Sequence, residues 1–576
     1  MFLLQDVQKL YRLWLEKTED NAAVQNELRA VAGNDEEILD RFYRNLEFGT
    51  AGLRGVIGAG TNRMNVYTVN QATQGLADYL HSAFDEPSVA IAYDSRNGSE
   101  EFARGAAGVL AANGIRVYIY PELVPTPMLS FAVRELSCSS GIIITASHNP
   151  AKYNGYKCYD PNGYQMTDEA AAATYAFIRK TDMFEGVRTM PFDEGLKSGM
   201  IGYIGADVVE KFYARVLTQQ INPGVCADAK LRVVYTPLNG TGNKPVREIL
   251  RRIGQTDVAV VPEQEYPDGN FPTCPFPNPE IREAFNCALA LAGKQGADLL
   301  LATDPDCDRV GIAVLDGGEY KLMSGNEVGV LLTEYILSCR KANGTLPKDP
   351  VVIKSFVTTE LVAKVAQKYG AETRSLLTGF KYIGELITKL EAAGEADRFL
   401  VGMEESYGYL AGTHARDKDA VVASMLITEM AAYYKTQGMT LIEKMQALYR
   451  EHGMYRNSLL NFAFEGASGM EKMLSLMQDL RAAAPKQIAG LSVTAVSDYL
   501  SRETVDTATG AVTPIDLPRS NVLRYMLPGG SGVIVRPSGT EPKIKVYITS
   551  VAADADQAEK LGEAIGADMR KIMHLE

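Results

Sequence analysis

Between Ser88 and Glu405 the chain returns again and again to one pattern: a short apolar run, a loop of small or acidic residues, then a helix-forming stretch. VAIAY (89–93), a helical stretch over 100–113 and IRVYIY (115–120) form the first such strand–helix–strand alternation, which predicts a parallel sheet. The rhythm recurs at LRVVYTPL (231–238), VAVVP (258–262) and ADLLLATD (297–304), then at VVIKSF (351–356) and RFLVGMEE (398–405). Three α/β units in series are the simplest account. Ahead of them, Leu3, Val7, Leu10 and Trp14 recur at helical spacing, so an N-terminal amphipathic extension is expected. Beyond Tyr455 the order becomes helix (469–483), apolar strand LSVTAV (491–496), then GVIVRPSGTEPKIKVYITS (532–550) and a closing helix, an α+β arrangement. The expected domains are 1–205, 206–320, 321–455 and 456–576, the first three α/β with mixed sheets.

Charge and composition remove several function classes. With 58 Lys and Arg against 71 Asp and Glu the net charge is -13, so the summed field repels nucleic acid and anionic membrane, and any phosphate binding has to be local. Neither is an expected partner, and no obligate protein partner is implied. The 7 cysteines are odd in number and show no C-x-x-C spacing, which predicts reduced thiols. None of the 5 histidines is paired at zinc-ligand spacing, which leaves oxygen-ligated metals open. Gln5, Asp6 and Lys9 interrupt the opening apolar run before it reaches signal-peptide or membrane-span length, so a soluble, cytoplasmic protein is expected.

Four loops could carry chemistry. GIIITASHNP (141–150), continuing to Asn154, Gly155 and Lys157, sets Thr145, Ser147, His148 and Asn149 at a strand's C-terminal end, the edge where open α/β sheets bind ligands. A serine hydroxyl needs a neighbouring base or electrostatic help, and His148 and Lys157 are the candidates nearby in sequence; the segment also reads as a turn rich in cap-forming residues. In ATDPDCDR (302–309), Asp304, Asp306 and Asp308 can converge on one hard cation such as Mg²⁺ if Pro305 helps to curve the loop. An EF-hand is excluded, because its sixth and twelfth positions would be Arg309 and Leu315 instead of Gly and Glu. The competing reading is a solvated acidic turn.

VGMEESYG (401–408) offers Glu404 and Ser406 to adjacent sugar hydroxyls, or a helix N-cap. Nearby Lys381, Arg416 and Lys418 add cations, although Arg416 to Asp419 alone also reads as a solvated charge run. RPSGTEPK (536–543) concentrates anion donors, with a guanidinium at Arg536, hydroxyls at Ser538 and Thr540, and Gly539 to let backbone amides approach; the alternative is a plain hairpin. No G-x-x-x-x-G-K-[ST] occurs, and no complete G-x-G-x-x-G follows a strand, so nucleotide-hydrolase and dinucleotide readings lose support.

Taken together and in this order, TASHNP with N-G-x-K, DPDCDR, GMEESYG and RPSGTEPK resemble the α-D-phosphohexomutase family over nearly the whole chain. The E-E-S form of the third loop is similar to the phosphoglucomutase-like branch. The resemblance implies three similar α/β domains and a C-terminal α+β domain, with one motif from each around a central cleft. Ser147 would be the phosphoserine and also a metal ligand beside Asp304, Asp306 and Asp308, which would hold Mg²⁺. His148 and Lys157 would serve as acid/base and positioning residues, and Arg54, in TAGLRG (50–55), would lie near the phosphoserine. The implied substrate contacts are Arg309, Lys381, Glu404, Ser406, Arg416, Lys418, Arg536, Ser538, Gly539 and Thr540. The implied chemistry moves a phosphoryl group between Ser147 and a hexose phosphate, with glucose 1,6-bisphosphate as primer. Mannose or pentose phosphate preference, or a silent sugar-phosphate binder on the same scaffold, are the competing expectations.

Overall fold

The structure, a computed structural model, describes residues 4–49, 52–464, 469–538 and 543–575. The chain forms two compact units: Met1–Gly325, Ile383–Gly402 and Ser406–Gly438 make the first, and Asn326–Tyr382, Met403–Glu405 and Met439–Glu576 the second.

The first unit opens with helices Leu4–Lys17, Ala22–Ala30 and Asp35–Phe42, the latter two capped by the side chains of Asn21 and Asn34 on the amides of Val24 and Glu37. Their apolar faces close around Val7, Trp14, Leu28, Ile38 and Phe42. Trp14 packs edge-on against Phe42, Tyr67 and Phe184 at ring-centroid distances of 5.8, 5.5 and 5.6 Å, which fastens the extension to the first α/β domain.

That domain is a six-stranded sheet of β1 (Leu53–Val56), β2 (Ser88–Tyr93), β3 (Arg116–Ile119), β4 (Ser140–Ile144), β5 (Tyr153–Tyr159) and β6 (Ile201–Tyr203), in spatial order β1-β5-β4-β2-β3-β6. The pairs β4–β2, β2–β3 and β3–β6 are parallel, as the alternation of apolar runs and helices demands; β5 and β1 add on antiparallel. The antiparallel edge positions chemistry. Ile143 pairs with Lys157, and Arg54 with Gly155, so residues distant in sequence are brought beside the loop that follows β4. Gly155 is required there: a Cβ would sit 2.5 Å from the Thr145 carbonyl oxygen and 3.0 Å from that of Leu53.

A second sheet contains β7 (Val233–Thr236), β8 (Val258–Val260), β9 (Leu299–Thr303), β10 (Val310–Asp316) and β11 (Glu319–Met323), in order β11-β10-β9-β7-β8. Strands β8, β7 and β9 are parallel, and β10 and β11 are antiparallel. Val310 pairs with Thr303, so residues 304–309 form the tight connection of a β-hairpin, and the three aspartates all lie on it.

In the second unit Val351–Ser355 pairs in parallel with Glu372–Leu376. A seven-stranded antiparallel sheet runs, edge to edge, through Met454–Ala463, Lys543–Ala552, Gly532–Pro537, Leu523–Met526, Ala495–Asp498, Glu503–Asp506 and Val512–Pro514. Helices Gly469–Ala482 and Ala555–Ile572 contribute Met473, Met477, Ile565 and Met569 to its core. Two sequence expectations need correction here. The strand Met454–Ala463 lies where only helix was expected to begin the last domain, and LSVTAV is not one strand. Leu491–Ser492 pairs with Gln487–Ile488 in a small hairpin, whereas Ala495–Asp498 belongs to the large sheet.

Replacing Trp14 with Ala should destabilise the first unit by roughly 3–5 kcal/mol, the range for emptying a large aromatic site in a core. Urea unfolding followed by far-ultraviolet circular dichroism checks this, and Trp14→Phe should recover most of the loss.

Candidate active site

Strand β4 delivers the chain into Thr145-Ala146-Ser147, and Ser147 sits in the left-handed region at φ 54°. For a residue with a side chain that conformation costs about 1–2 kcal/mol, so neighbouring contacts have to hold it. The Ser147 amide donates to Thr145 Oγ1 at 2.8 Å, and the hydroxyl donates to Asp304 Oδ2 at 3.0 Å. His148 Nδ1 lies 3.2 Å from the same hydroxyl. The buried serine thus meets both an imidazole and a carboxylate of the acidic loop.

In that loop Cys307 is also left-handed, at φ 50°, which turns the chain between Asp306 and Asp308. The amides of Asp308 and Arg309 donate to Asp304 Oδ1 at 3.1 and 3.0 Å, tightening the curve. All three aspartates are buried and offer carboxylate oxygens within 4.8 Å of one another. Ammonium groups meet two of them. Lys157 Nζ donates to Asp306 Oδ2 at 2.9 Å, where Thr126 Oγ1 also donates at 3.0 Å, and Lys418 Nζ pairs with Asp308 Oδ2 at 3.0 Å. Lys418 also bonds Asp417, which accepts from the Tyr159 hydroxyl at 2.6 Å.

The electrostatics of the cluster are lopsided. Burial, reinforced by the charges of Asp306 and Asp308, pushes the Asp304 carboxyl well above the ordinary range, and burial with Asp306 raises Asp308. Burial also works to raise Asp306, yet Lys157 holds it below the ordinary range. Desolvation, with Arg309 and Arg54 nearby, pushes the His148 imidazole well below its usual range, so it stays neutral near pH 7. Oxygens Oδ1 of Asp306 and Asp308 are buried and have no hydrogen-bond partner among the described residues. Unsatisfied carboxylate oxygens crowded in a buried loop suit a divalent cation with oxygen ligands, and the three aspartates are residues that could hold one.

The other expected site residues are distributed as follows. Arg54 is exposed on β1, within electrostatic range of Asp306 and Asp308. Arg309 is bonded to Glu280 at 2.6 Å. Ser406 is half-buried in the first unit, just before left-handed Tyr407, whose carbonyl accepts from the Val310 amide at 3.1 Å. In the second unit Glu404 accepts from the Gly379 amide at 2.7 Å, and Lys381 Nζ lies 5.0 Å from the Tyr382 ring centroid. Arg536 is half-buried opposite Lys545 in a strand pair, and the Ser538 amide donates to the Lys543 carbonyl at 2.7 Å. Beside Arg536, the Tyr547 hydroxyl is pushed up to about 12, chiefly by burial and by Glu405. Gly539 and Thr540 lie outside the described residues.

Arg416 does not present itself to a ligand. Its side chain is fully buried, donating to Glu391 at 2.6 Å, Thr388 at 3.1 Å and the carbonyls of Thr413 and Ala415 at 2.5 and 3.1 Å. The guanidinium braces the turn over 413–416. A run of charged residues carries no sign of such burial. Sequence reasoning also missed Thr126 and Glu280, whose partners Asp306 and Arg309 come from the acidic loop, Asp417, which accepts from Tyr159 on β5, and Phe276, whose ring meets His148 edge-on at 5.8 Å.

Comparison with known proteins supplies the class. Profiles described as phosphoglucomutase/phosphomannomutase alpha/beta/alpha domains I, II and III match residues 45–185, 211–317 and 324–452, and the C-terminal domain profile matches 475–566. A phosphoglucomutase of Staphylococcus haemolyticus is 37% identical over 91% of this chain and 93% of its own length. The chain belongs to the phosphoglucomutase/phosphomannomutase family. Among solved structures, a family protein from Burkholderia thailandensis (20% identical, TM-score 0.65, 91% of this chain and 97% of that one) shares the fold. So does the open form of the Paramecium phosphoprotein parafusin, a phosphoglucomutase (17%, 0.67, 92% and 96%).

Arg416→Ala should lower the stability of the first unit by about 1–3 kcal/mol, because the Ala415 carbonyl loses its buried donor while that of Thr413 keeps Arg134 at 2.7 Å. The KM for a hexose phosphate should stay within about two-fold, the opposite of what loss of a substrate contact gives. Calorimetry and steady-state kinetics together check it.

Proposed function

We propose that this protein is a cytoplasmic phosphoglucomutase that interconverts α-D-glucose 1-phosphate and glucose 6-phosphate through a phosphorylated Ser147. The observation that carries this reading is the contact of the Ser147 hydroxyl with Asp304, on a loop whose three carboxylates suit a cation. A buried serine in a strained turn against such a loop is costly as mere structure and apt for phosphoryl transfer. The family membership and the relative named phosphoglucomutase, matched at 37% identity, support the same conclusion.

In the first half-reaction the bond between phosphorus and Ser147 Oγ breaks as a bond forms to the free hydroxyl of the sugar phosphate. The hydroxyl proton ends on Ser147 Oγ. His148, neutral and 3.2 Å from that oxygen, is suited to carry it. Lys157 is engaged with Asp306 at 2.9 Å, so its role is that of a fixed positive charge beside the moving group. Arg54, exposed near the same carboxylates, is assigned to the phosphoryl oxygens. Asp304, Asp306, Asp308 and Ser147 would hold Mg²⁺, which when bound neutralises charge developing on the transferred group. The product of this half-reaction is glucose 1,6-bisphosphate, also the primer that phosphorylates a resting enzyme. In the second half-reaction its other phosphate returns to Ser147 by the reverse chemistry. Glu404, Ser406 and Lys381 are assigned to sugar hydroxyls and phosphate, and Arg309 and Lys418 to the rim of the acidic loop. Arg536, Ser538, Gly539 and Thr540 are assigned to the phosphate that is not being transferred.

Incubation with glucose 1,6-bisphosphate should add about 80 Da, one phosphoryl group, to the chain at Ser147. Ser147→Ala should abolish both that mass and turnover while leaving the fold in place, since a loop hydroxyl contributes little to the core. A wild-type protein that never gains the mass would contradict the reading. Turnover should be highest on glucose 1-phosphate; a clear preference for the mannose or ribose ester would overturn the substrate assignment.

A further inference from the structure

Everything in the proposed reaction depends on where Ser147 Oγ points, and its contacts with Asp304 and His148 orient the hydroxyl without fixing the left-handed backbone that carries it. A single side chain outside the reacting groups reaches that backbone. Strand β2 ends in Tyr93 and is followed by Asp94 and Arg96, at the same sheet edge as the loop after β4. The Arg96 guanidinium is buried and lies under the Ser147 loop. Its Nη2 donates to the carbonyl of Ser147 and, at 2.5 Å, to that of Asn149. Its Nη1 donates to the carbonyls of Pro150 and Tyr153, each at 3.1 Å. Nε lies 3.2 Å from Asp94 Oδ2, in an ion pair fully removed from solvent. The Phe271 ring supports the guanidinium at 5.1 Å.

A guanidinium has five N–H groups. Here four face carbonyls of one short loop and the fifth faces a carboxylate. Asp94 is fixed in turn, because its Oδ1 accepts from the Arg96 amide at 2.9 Å and from Ser99 Oγ at 2.7 Å. The Nη1 and Nη2 donors are all engaged by carbonyls, and Nε, which makes no hydrogen bond among the described residues, is buried against Asp94, so none of them is offered to a phosphate. That distinguishes Arg96 from the exposed Arg54: a cation this near a phosphoserine would otherwise compete for the phosphoryl oxygens and pull the group out of line.

We infer that Arg96 is a positioning residue which, through four carbonyls, locks Ser147 in its left-handed conformation and aims Oγ for transfer, whether or not that oxygen carries a phosphoryl group. The inference rests on the phosphoserine reading for its catalytic consequence, but the lock itself is a property of the loop. Lysine cannot replace it, since one ammonium with three donors cannot span four carbonyls in a plane.

The test uses Arg96→Lys and Arg96→Ala in the full chain, with three readouts. Hydrogen exchange of the peptide spanning 145–153 should speed up by roughly ten-fold or more in both variants, with the rest of the sheet unchanged, because the loop opens locally. The kcat for glucose 1-phosphate should fall about 100-fold, as for a reacting atom misplaced by about 1 Å, while KM stays within about three-fold. Guanidinium ion at millimolar concentration, with sodium as the ionic-strength control, should restore part of the kcat of Arg96→Ala and none of that of Arg96→Lys. Unchanged exchange in 145–153 would overturn the lock, even if the wild-type protein also failed to take up a phosphoryl group. A wild-type protein that gains the mass, together with an Arg96→Lys variant that keeps wild-type kcat, would overturn the positioning role and leave the phosphoserine reading intact.

Discussion

Three aspartate side chains buried within 4.8 Å of one another are the constraint around which the first unit is organised. Such a cluster repels itself, and burial removes the water that would screen it. Lys157 from β5, Lys418 from the segment before helix Ala420–Thr436, and Arg309 at the loop's end supply positive charge, yet Oδ1 of Asp306 and of Asp308 accept no hydrogen bond among the described residues. A protein that needed only stability would replace the loop with apolar side chains. Here the unspent negative charge is kept beside a serine hydroxyl.

The sheets explain how that charge is delivered so accurately. Ser147 lies just past the end of β4, Lys157 on the antiparallel strand paired with it, and the aspartates in the tight connection between β9 and β10. Each group is therefore tied to a strand within a few residues, and the loops have little length over which to wander. The left-handed backbone at Ser147 and Cys307 is the cost of turning each chain sharply enough for the two loops to meet.

Much of this was legible in the sequence, and the legible parts share a cause. TASHNP and DPDCDR carry several reactive side chains within a few residues immediately after an apolar run, so local pattern alone places them at a sheet's ligand edge. Arg96 was not legible, although it too follows an apolar strand, because its meaning lies in four carbonyls more than fifty positions away. Arg416 misled for the converse reason. Beside Asp417, Lys418 and Asp419 it resembles an exposed charged segment, and only tertiary packing shows it buried against Glu391 and Thr388. The edge strand Met454–Ala463 escaped because Arg456, Asn457 and Ser458 break the period of two, and pairing along one side only tolerates such a break. LSVTAV was read as continuous because composition does not reveal a change of partner.

The account holds that Asp304, Asp306 and Asp308 are a cation site joined to Ser147. The most direct measurement is anomalous diffraction from crystals soaked in Mn²⁺, an ion that takes the same all-oxygen coordination as Mg²⁺. One strong peak bonded to a carboxylate oxygen of each aspartate and to Ser147 Oγ or its phosphoryl oxygen is the predicted result. A peak elsewhere on the chain, with the three aspartates bare, would contradict it.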